Sequence, residues 1–388
     1  MKITVVCDVY GKENNGSAVV AYNLIRFLQS RGHDVRILCA DQESKGLPDH
    51  YVVPNMHFGK KLDAYVAKVG VSIAHPKKQI IKEALKGVDA VHIMMPLPLG
   101  LATVKIAKRM KLPITAGFHM QAENATAYFK LNRFKWANKL ANRFMYTHFY
   151  RYVDRIHYPT QFIRDTFEGA IHKSTPGLVI SNGVHEYVQK RPTEKPAEYK
   201  DKIVILTTGR YSTEKNQDTL IKAIHYSKYK DKIQLILGGE GAKIDQYRKL
   251  AEGLPNPPVF RFFSRTEIVD ALNYADMYVH PAIIELEGIS CIEAIACGKL
   301  TIVSDSKLSA TRNFAADERC VFKAEDEKDL ARVIDYWLDH PAEMRECEEK
   351  YLHSAVAYKQ SECMQQMEDM ILDAVRQTDR TPASADRK

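Results

Sequence analysis

Two glutamates stand eight positions apart in the run Glu285-Leu-Glu-Gly-Ile-Ser-Cys-Ile-Glu293, with Gly288 between them and the small residues Ala294, Ala296 and Gly298 following. Carboxylates accept hydrogen bonds from hydroxyl groups, and the first amides of a helix attract anions. The run comes just after a strand-like stretch, Met277–His280, that ends at Pro281. A strand, a turn and a helix start are where an open α/β sheet places its ligands. Glu285 lies ahead of the helix and Glu293 two turns into it. The two carboxylates can therefore grip different parts of one ligand, while the amides of Gly288, Ile289 and Ser290 face an anionic part. Carboxylates also favour helix starts on electrostatic grounds alone, so the companions of this run matter.

The companions are basic. Thr207-Thr208-Gly209-Arg210 runs on to Lys215-Asn216 directly after another strand-like stretch. Arg offers a forked donor set and Lys a point charge, which suits a diphosphate whose charge grows as a bond to it breaks. A surface turn with two solvated bases would read the same in isolation. Gly238-Gly239-Glu240-Gly241 closes a further strand, where glycines let the backbone approach a ligand, or simply make a tight turn. In the first half, Asn14-Asn15-Gly16-Ser17 joins the first strand to the first helix, either as an anion site or as a capping loop. His119 ends the strand Ile114–Phe118; His75, His92, His157 and His280 have weaker cases for chemistry.

Together these runs resemble the Glu-x7-Glu signature and the Gly-Arg…Lys-Asn motif of retaining glycosyltransferases of family 4, which have the GT-B fold. The resemblance covers nearly the whole chain. It implies that Glu285 meets the transferred sugar, that Glu293 binds the ribose of a nucleotide, and that Arg210 and Lys215 hold the diphosphate. It further implies donor contacts at Gly16, Ser17, Gly239, Glu240, Gly288, Ile289 and Ser290. In the family, the place of Arg261-Phe-Phe-Ser264-Arg265 contacts the base largely through main chain, which gives Ser264 a donor-binding role. His119 matches a family histidine over the sugar. The implied reaction is transfer with retention: the acceptor attacks on the face from which the diphosphate leaves, and a leaving phosphate oxygen takes the acceptor proton. Two departures stand out. Glu287 replaces a common Phe, and Gly16-Ser17 replaces a pair of glycines.

The elements that must position these residues alternate in the α/β manner. Strand-like Lys2–Val9, Val35–Ala40, Val88–Met94 and Ile114–Phe118 alternate with helical spacing such as Val20, Leu24, Phe27 and Leu28. A second series starts at Lys202. The expected fold is α/β, GT-B, with two Rossmann-like doubly wound domains facing across a cleft. Residues 1–187 form an acceptor-side domain, 188–201 a linker rich in Lys, Glu and Pro, and 202–376 a nucleotide-sugar-binding domain. The helix Ala355–Arg376 is able to cross back to the first domain, and 377–388 form a disordered tail. Seven scattered cysteines without a Cys-x-x-Cys pair read as free thiols in a reducing compartment. The N-terminus reads as a strand and not as a signal peptide, and no apolar run is long enough to span a bilayer. No strand-ending Asp-x-Asp is present, so no metal is implied, and no cofactor is expected beyond the nucleotide-sugar as substrate. No Gly-x-Gly-x-x-Gly follows the first strand, which argues against a nicotinamide enzyme.

Charge is uneven. Residues 1–187 carry 26 Lys+Arg against 14 Asp+Glu, while the remainder carries 30 against 34. The basic half invites an anionic partner. Within it, Tyr128–Arg155 holds seven bases, one acid and nine aromatics. Lys135, Lys139 and Arg143 form one helical stripe and Trp136, Leu140 and Phe144 its neighbour. Such a helix can lie in an anionic membrane interface, or its apolar stripe can pack into the domain. No nucleic-acid motif accompanies it. The segments His119–Asn124 and Ser304–Phe314 resemble those of bacterial diacylglycerol glucosyltransferase-like members, although the latter lacks the family's Gly-Gly turn. The expectation is a hexosyltransferase, cytoplasmic and peripheral at the inner face of the plasma membrane, moving glucose from UDP-glucose to a lipid such as diacylglycerol. The alternatives are a glycan or polyprenyl-linked acceptor, and a non-catalytic nucleotide-sugar-binding subunit.

Overall fold

The computed structural model describes residues 1–11, 16–57, 59, 73–127 and 134–380. The chain divides into two compact units: Met1–Asn182 with Ser361–Lys388, and Gly183–Gln360. Each is built on its own parallel sheet with helices packed on it, as the alternating pattern predicts.

In the first unit the strands are β1 (Lys2–Cys7), β2 (Asp34–Cys39), β3 (His50–Val52), β4 (Ala90–Ile93), β5 (Ile114–Gly117), β6 (Arg155–Tyr158) and β7 (Gly177–Val179). Their order is β3-β2-β1-β4-β5-β6-β7, all parallel. A parallel sheet covered on both faces needs near-continuous apolar strands, and Ile3, Val5, Val6, Ile37, Leu38, Val91 and Ile93 are all buried. The helices are α1 (Gly16–Ser30), α2 (Lys78–Ala84), α3 (Pro98–Arg109), α4 (Ala122–Ala127), α5 (Lys135–His148) and α6 (Gln161–Ile171). Helix α1 buries Ala18, Ala21, Leu24, Ile25 and Leu28, one face at helical spacing. The strand order reverses between β1 and β4. There Asp8, just past β1, accepts from the amides of Leu99 (3.0 Å) and Gly100 (3.4 Å) at the start of α3. Burial pushes the Asp8 carboxyl up to about 7, against the pull of those amides.

The second unit holds β8 (Ile203–Thr208), α7 (Gln217–Tyr226), β9 (Ile233–Gly238), α8 (Ile244–Leu250), β10 (Val259–Arg261), α9 (Arg265–Tyr274), β11 (Met277–His280), β12 (Ile284–Glu285), α10 (Ile289–Ala296), β13 (Thr301–Ser304), β14 (Leu308–Ser309), β15 (Val321–Phe322), α11 (Glu327–Asp339) and α12 (Pro341–Ser354). Six strands form one sheet in the order β10-β9-β8-β11-β13-β15, and β12 pairs with β14 as a separate parallel ribbon. Trp337, Tyr351, Ile334 and Leu330 lie fully buried in its core. All seven cysteines are free and buried.

Three boundaries differ from the sequence expectation. The stretch 188–201 is not a free linker. Val188 is buried, Arg191 donates to Asp270 (2.6 Å), and Lys195 donates to Asp276 (2.6 Å), so its charges are used within the second unit. The last helix, α13 (Gln360–Arg380), starts later than Ala355, and from Ser361 it belongs to the first unit. It buries Met364, Met367, Ile371 and Ala374, while Glu368 receives His33 (2.7 Å) and Arg31 (3.2 Å) and Asp373 receives Arg155 (2.8 Å). It also continues through 377–380, which the sequence assigns to a tail; 381–388 lie outside the described residues.

Candidate functional site

In the second unit the strand order reverses between β8 and β11, where Met277 lies beside Ile205 and Tyr278 beside Leu206. The loops leaving the carboxyl ends of these two strands therefore run side by side, the place where such sheets bind ligands. One loop carries Arg210 and Lys215, the other Glu285 and Gly288. Two bonds tie them: Ile283 N–H donates to the Glu214 carbonyl (2.9 Å), and the Asn216 side-chain Nδ2 donates to the Pro281 carbonyl (3.3 Å). The ribbon strand β14 braces the second loop from its other side. Glu285 pairs with Ser309, the Ser304 hydroxyl donates to the Ala282 carbonyl, and the Ser306 hydroxyl donates to the Ile283 carbonyl, the last two at 2.6 Å.

Glu285 is the centre of the arrangement. Its Oε2 forms an ion pair with Lys215 Nζ and a hydrogen bond with His280 Nε2 at 3.2 Å. Burial pushes its carboxyl up, but the Lys215 charge and the His280 bond outweigh that and hold it at about 2. It is a carboxylate throughout the neutral range. Arg210 is half exposed, with its guanidinium 3.4 Å from Glu214. It and Lys215 are two cations of this loop, one half exposed and one paired with Glu285.

Gly288 precedes α10 with φ +84°, a conformation that costs any residue with a Cβ. A Cβ there would also sit 2.6 Å from Thr311 Cγ2. This turn leads the first amides of α10, those of Ile289 and Ser290, into the helix start, where they have no carbonyl one turn back. Glu293 lies further along α10. Burial pushes its carboxyl up to about 7, with Arg265 pulling the other way. Among the described residues its side chain makes no hydrogen bond, and it is partly exposed. Glu287 is buried, so its charge is inside the loop and not at its mouth.

Gly239 and Ser264, expected donor contacts, also do structural work. Gly239 and Gly241 do allow a close approach, but to the neighbouring loop: Gly209 N–H donates to Gly238 (2.9 Å), Tyr211 N–H to Glu240 (2.8 Å), and a Cβ on Gly239 would lie 2.1 Å from the Gly209 carbonyl oxygen. Glu240 itself is exposed. Ser264 is the N-cap of α9, its hydroxyl accepting from Glu267 N–H (3.3 Å) and its own amide donating to the Glu267 carboxylate (2.8 Å). Its carbonyl accepts from Ile268 (3.0 Å). Ser264 thus caps α9, and the neighbouring Phe262 is exposed. The sequence also understated Tyr278, His280 and the Ser304–Ser309 brace. Alternation along β11 puts Tyr278 and His280 on one face, which was the available signal.

The remaining residues belong to the first unit. Gly16 and Ser17 open α1; Asn14 and Asn15 lie outside the described residues. His119 folds back over β5, where a Cβ on Gly117 would be 2.3 Å from its Nε2. Gly117, which the sequence did not single out, makes that room. The ring meets His157 edge-on, centroids 5.3 Å apart. His92 Nε2, His119 Nε2 and His157 Nδ1 are buried without hydrogen-bond partners among the described residues. Burial, and for His92 and His119 also neighbouring imidazoles, hold His92 at about 3, His157 at about 4 and His119 well below the usual range. All three are neutral at pH 7. On α5, Trp136 is 63%, Leu140 61% and Phe144 50% exposed, and Lys139 and Arg143 are exposed beside them. Ala137, Asn138, Asn142 and Met145 face inward instead. Among the described residues the apolar stripe therefore does not pack into the unit. Tyr128–Arg133 and the side chain of Lys135 lie outside the described residues.

Two Rossmann-like units, each with a parallel sheet whose order reverses beside β1 or β8, define a GT-B glycosyltransferase fold. Residues 14–186 match the description "Glycosyltransferase Family 4" and residues 188–351 match "Glycosyl transferases group 1". The chain belongs to the family 4-like glycosyltransferases of the GT-B fold. It is 24% identical over 318 residues to the alpha-monoglucosyldiacylglycerol synthase of Streptococcus pneumoniae, covering 77% of this chain and 70% of that one. The structure of Anabaena Alr3699/HepE in complex with UDP and glucose superposes with a TM-score of 0.73 at 17% identity, over 96% of this chain and 100% of that one. The catalytic domain of cholesterol-alpha-glucosyltransferase from Helicobacter pylori is 41% identical over 40% of this chain and 99% of that one, with a TM-score of 0.39. Among the described residues no helix is long and apolar enough to cross a membrane.

Proposed function

We propose that the protein transfers glucose, with retention, from UDP-glucose to a membrane lipid of the diacylglycerol class. The observation that carries the lipid half is the exposed stripe Trp136, Leu140 and Phe144 beside Lys139 and Arg143 on α5. Large apolar side chains in a row with flanking bases suit an anionic bilayer surface. The relative in Streptococcus pneumoniae, a glucosyldiacylglycerol synthase by name, supports the same acceptor class, and the Anabaena protein of this fold holds UDP and glucose.

On this reading Arg210, Lys215 and the amides of Gly288, Ile289 and Ser290 take the diphosphate. Gly239 and Glu240 shape the neighbouring loop. Glu293 accepts from the ribose hydroxyls that its side chain lacks as partners. Glu285 uses its second carboxylate oxygen to orient the sugar. For His119 the family resemblance implies a role over the sugar, and its neutral ring adds no charge that would oppose developing positive charge. The acceptor oxygen forms a bond to the anomeric carbon as the bond to the diphosphate breaks, and the acceptor proton passes to the leaving phosphate oxygen. Fixed cations lower the barrier by stabilising that phosphate.

The test is UDP release from UDP-glucose with and without diacylglycerol vesicles, followed by the anomeric configuration of the product. Release that rises with the lipid and gives an α-glucoside supports the proposal. Release indifferent to lipid points to a glycan acceptor, and a β-glucoside would remove retention.

A further inference from the structure

Glu285 accepts two bonds at one oxygen, and the second donor sits at the end of a buried chain. Tyr278 and His280 alternate on β11, so both project to the same face, and both are essentially fully buried. Their rings are stacked at 23° with centroids 6.2 Å apart. His280 Nε2 meets Glu285 Oε2 at 3.2 Å; His280 Nδ1 meets the Tyr278 hydroxyl at 3.4 Å; that hydroxyl meets Thr208 Oγ1 at 3.0 Å. The chain thus spans β8, β11 and the Glu285 loop. It crosses the strand reversal from inside the sheet.

The proton positions follow from the partners. An ionised carboxylate only accepts, so Nε2 of His280 carries the proton and donates it. In a neutral imidazole Nδ1 is then an acceptor, and the Tyr278 hydroxyl donates to it. The oxygen of Tyr278 is left to accept from Thr208. Burial favours this neutral ring, and Glu285 opposes that only in part. Lys215 and His280 both occupy Oε2, and among the described residues Oε1 of Glu285 takes no hydrogen bond. A carboxylate pinned at one oxygen has the other in a fixed place.

We propose that Tyr278 and His280 are positioning residues: through a defined His280 tautomer they fix Glu285 so that its free oxygen meets the donor sugar. The proposal rests on the role given above to Glu285. Neither residue needs to touch the substrate. Their contribution is realised only if the carboxylate is already in place when the sugar arrives, so it should appear in turnover and not in the affinity for UDP, which has no sugar.

The experiment uses the full chain and four variants, Glu285→Gln, His280→Leu, His280→Gln and Tyr278→Phe. Glucose transfer from UDP-glucose gives kcat and KM, titration gives the affinity for UDP, and nitrogen-15 NMR gives the imidazole tautomers. The expected result is an Nε2–H signature for His280 in the wild type that Tyr278→Phe perturbs. His280→Leu should lower kcat about 100-fold with UDP affinity unchanged, and His280→Gln, which keeps a donor, should recover most of it. Unchanged UDP affinity also certifies a folded second unit. An Nδ1–H ring, or His280→Leu at full turnover while Glu285→Gln is inactive, overturns the proposal and leaves the role of Glu285 standing. Full turnover of Glu285→Gln overturns that role, and this proposal with it.

Discussion

The most informative contrast among single residues is between the two glutamates. Glu285 is held at about 2 and Glu293 is raised to about 7, although they lie on one short loop and helix. One has cationic and imidazole partners; the other has burial, opposed by the charge of Arg265. For Glu293 the sign is clear. An unfolded glutamate ionises near 4.5, so between about 4.5 and 7 the folded state keeps a proton that the unfolded state has lost, and stability falls as pH rises through that window. A ligand offering hydroxyl donors reverses the preference. UDP affinity should therefore rise by up to about tenfold from pH 6 to 8, with proton release on binding. Calorimetry in two buffers of different ionisation enthalpy measures it, and Glu293→Gln should flatten the profile and weaken binding; a flat wild-type profile would remove Glu293 from the site. Gly288→Ala makes a separate case. With φ +84° and Thr311 Cγ2 2.6 Å from the new methyl, it should cost about 1–3 kcal/mol in denaturant unfolding.

Elements decide how much of this was readable. The Glu285–Glu293 spacing, Arg210 and Lys215 were legible because each follows directly from a strand, a loop and a helix start in local sequence. The His280–Tyr278 chain was not, because its bonds join β11 to β8, whose pairing no local pattern states. The brace was missed for the same reason: β14 pairs with β12 across 24 positions, Glu285 with Ser309. The expected linker failed because Lys and Glu composition does not say whether charges meet water or Asp270 and Asp276. Ser306→Ala tests the brace. Removing the bond to the Ile283 carbonyl should lower kcat several-fold and destabilise the fold by only about 1 kcal/mol; wild-type kcat would show that the ribbon holds the loop without it. On α5, Leu140→Ser with Phe144→Ser should abolish flotation with anionic vesicles while the thermal midpoint stays put, since exposed positions contribute little to stability. Co-flotation of that variant at wild-type levels would detach the helix from membrane binding.

At the scale of the whole molecule, the two units should differ in their response to acid. His92, His119 and His157 are neutral in the folded first unit and bind protons near 6.5 when unfolded. Their folded values are lowered, so stability is intact above about 6.5 and declines as pH falls toward 4, where the unfolded state takes up protons first. Hydrogen exchange between pH 7 and 4.5 should show the first unit opening before the second, and His92→Gln should reduce the slope; equal acid sensitivity of both units would contradict this. On the proposed function, the basic first half and the exposed stripe on α5 suit an anionic bilayer by the same logic of charge and apolar exposure, while in the second unit Arg210 and Lys215 lie in the loop that follows β8.

The most direct measurement of the central claim follows labelled glucose from UDP-glucose into the organic phase of a reaction containing diacylglycerol vesicles, with Glu285→Gln as the comparison. The account predicts labelled lipid from the wild-type protein and a loss of at least about 100-fold in the variant. Wild-type protein that binds UDP but never labels lipid, or a variant that labels it at the wild-type rate, would contradict it.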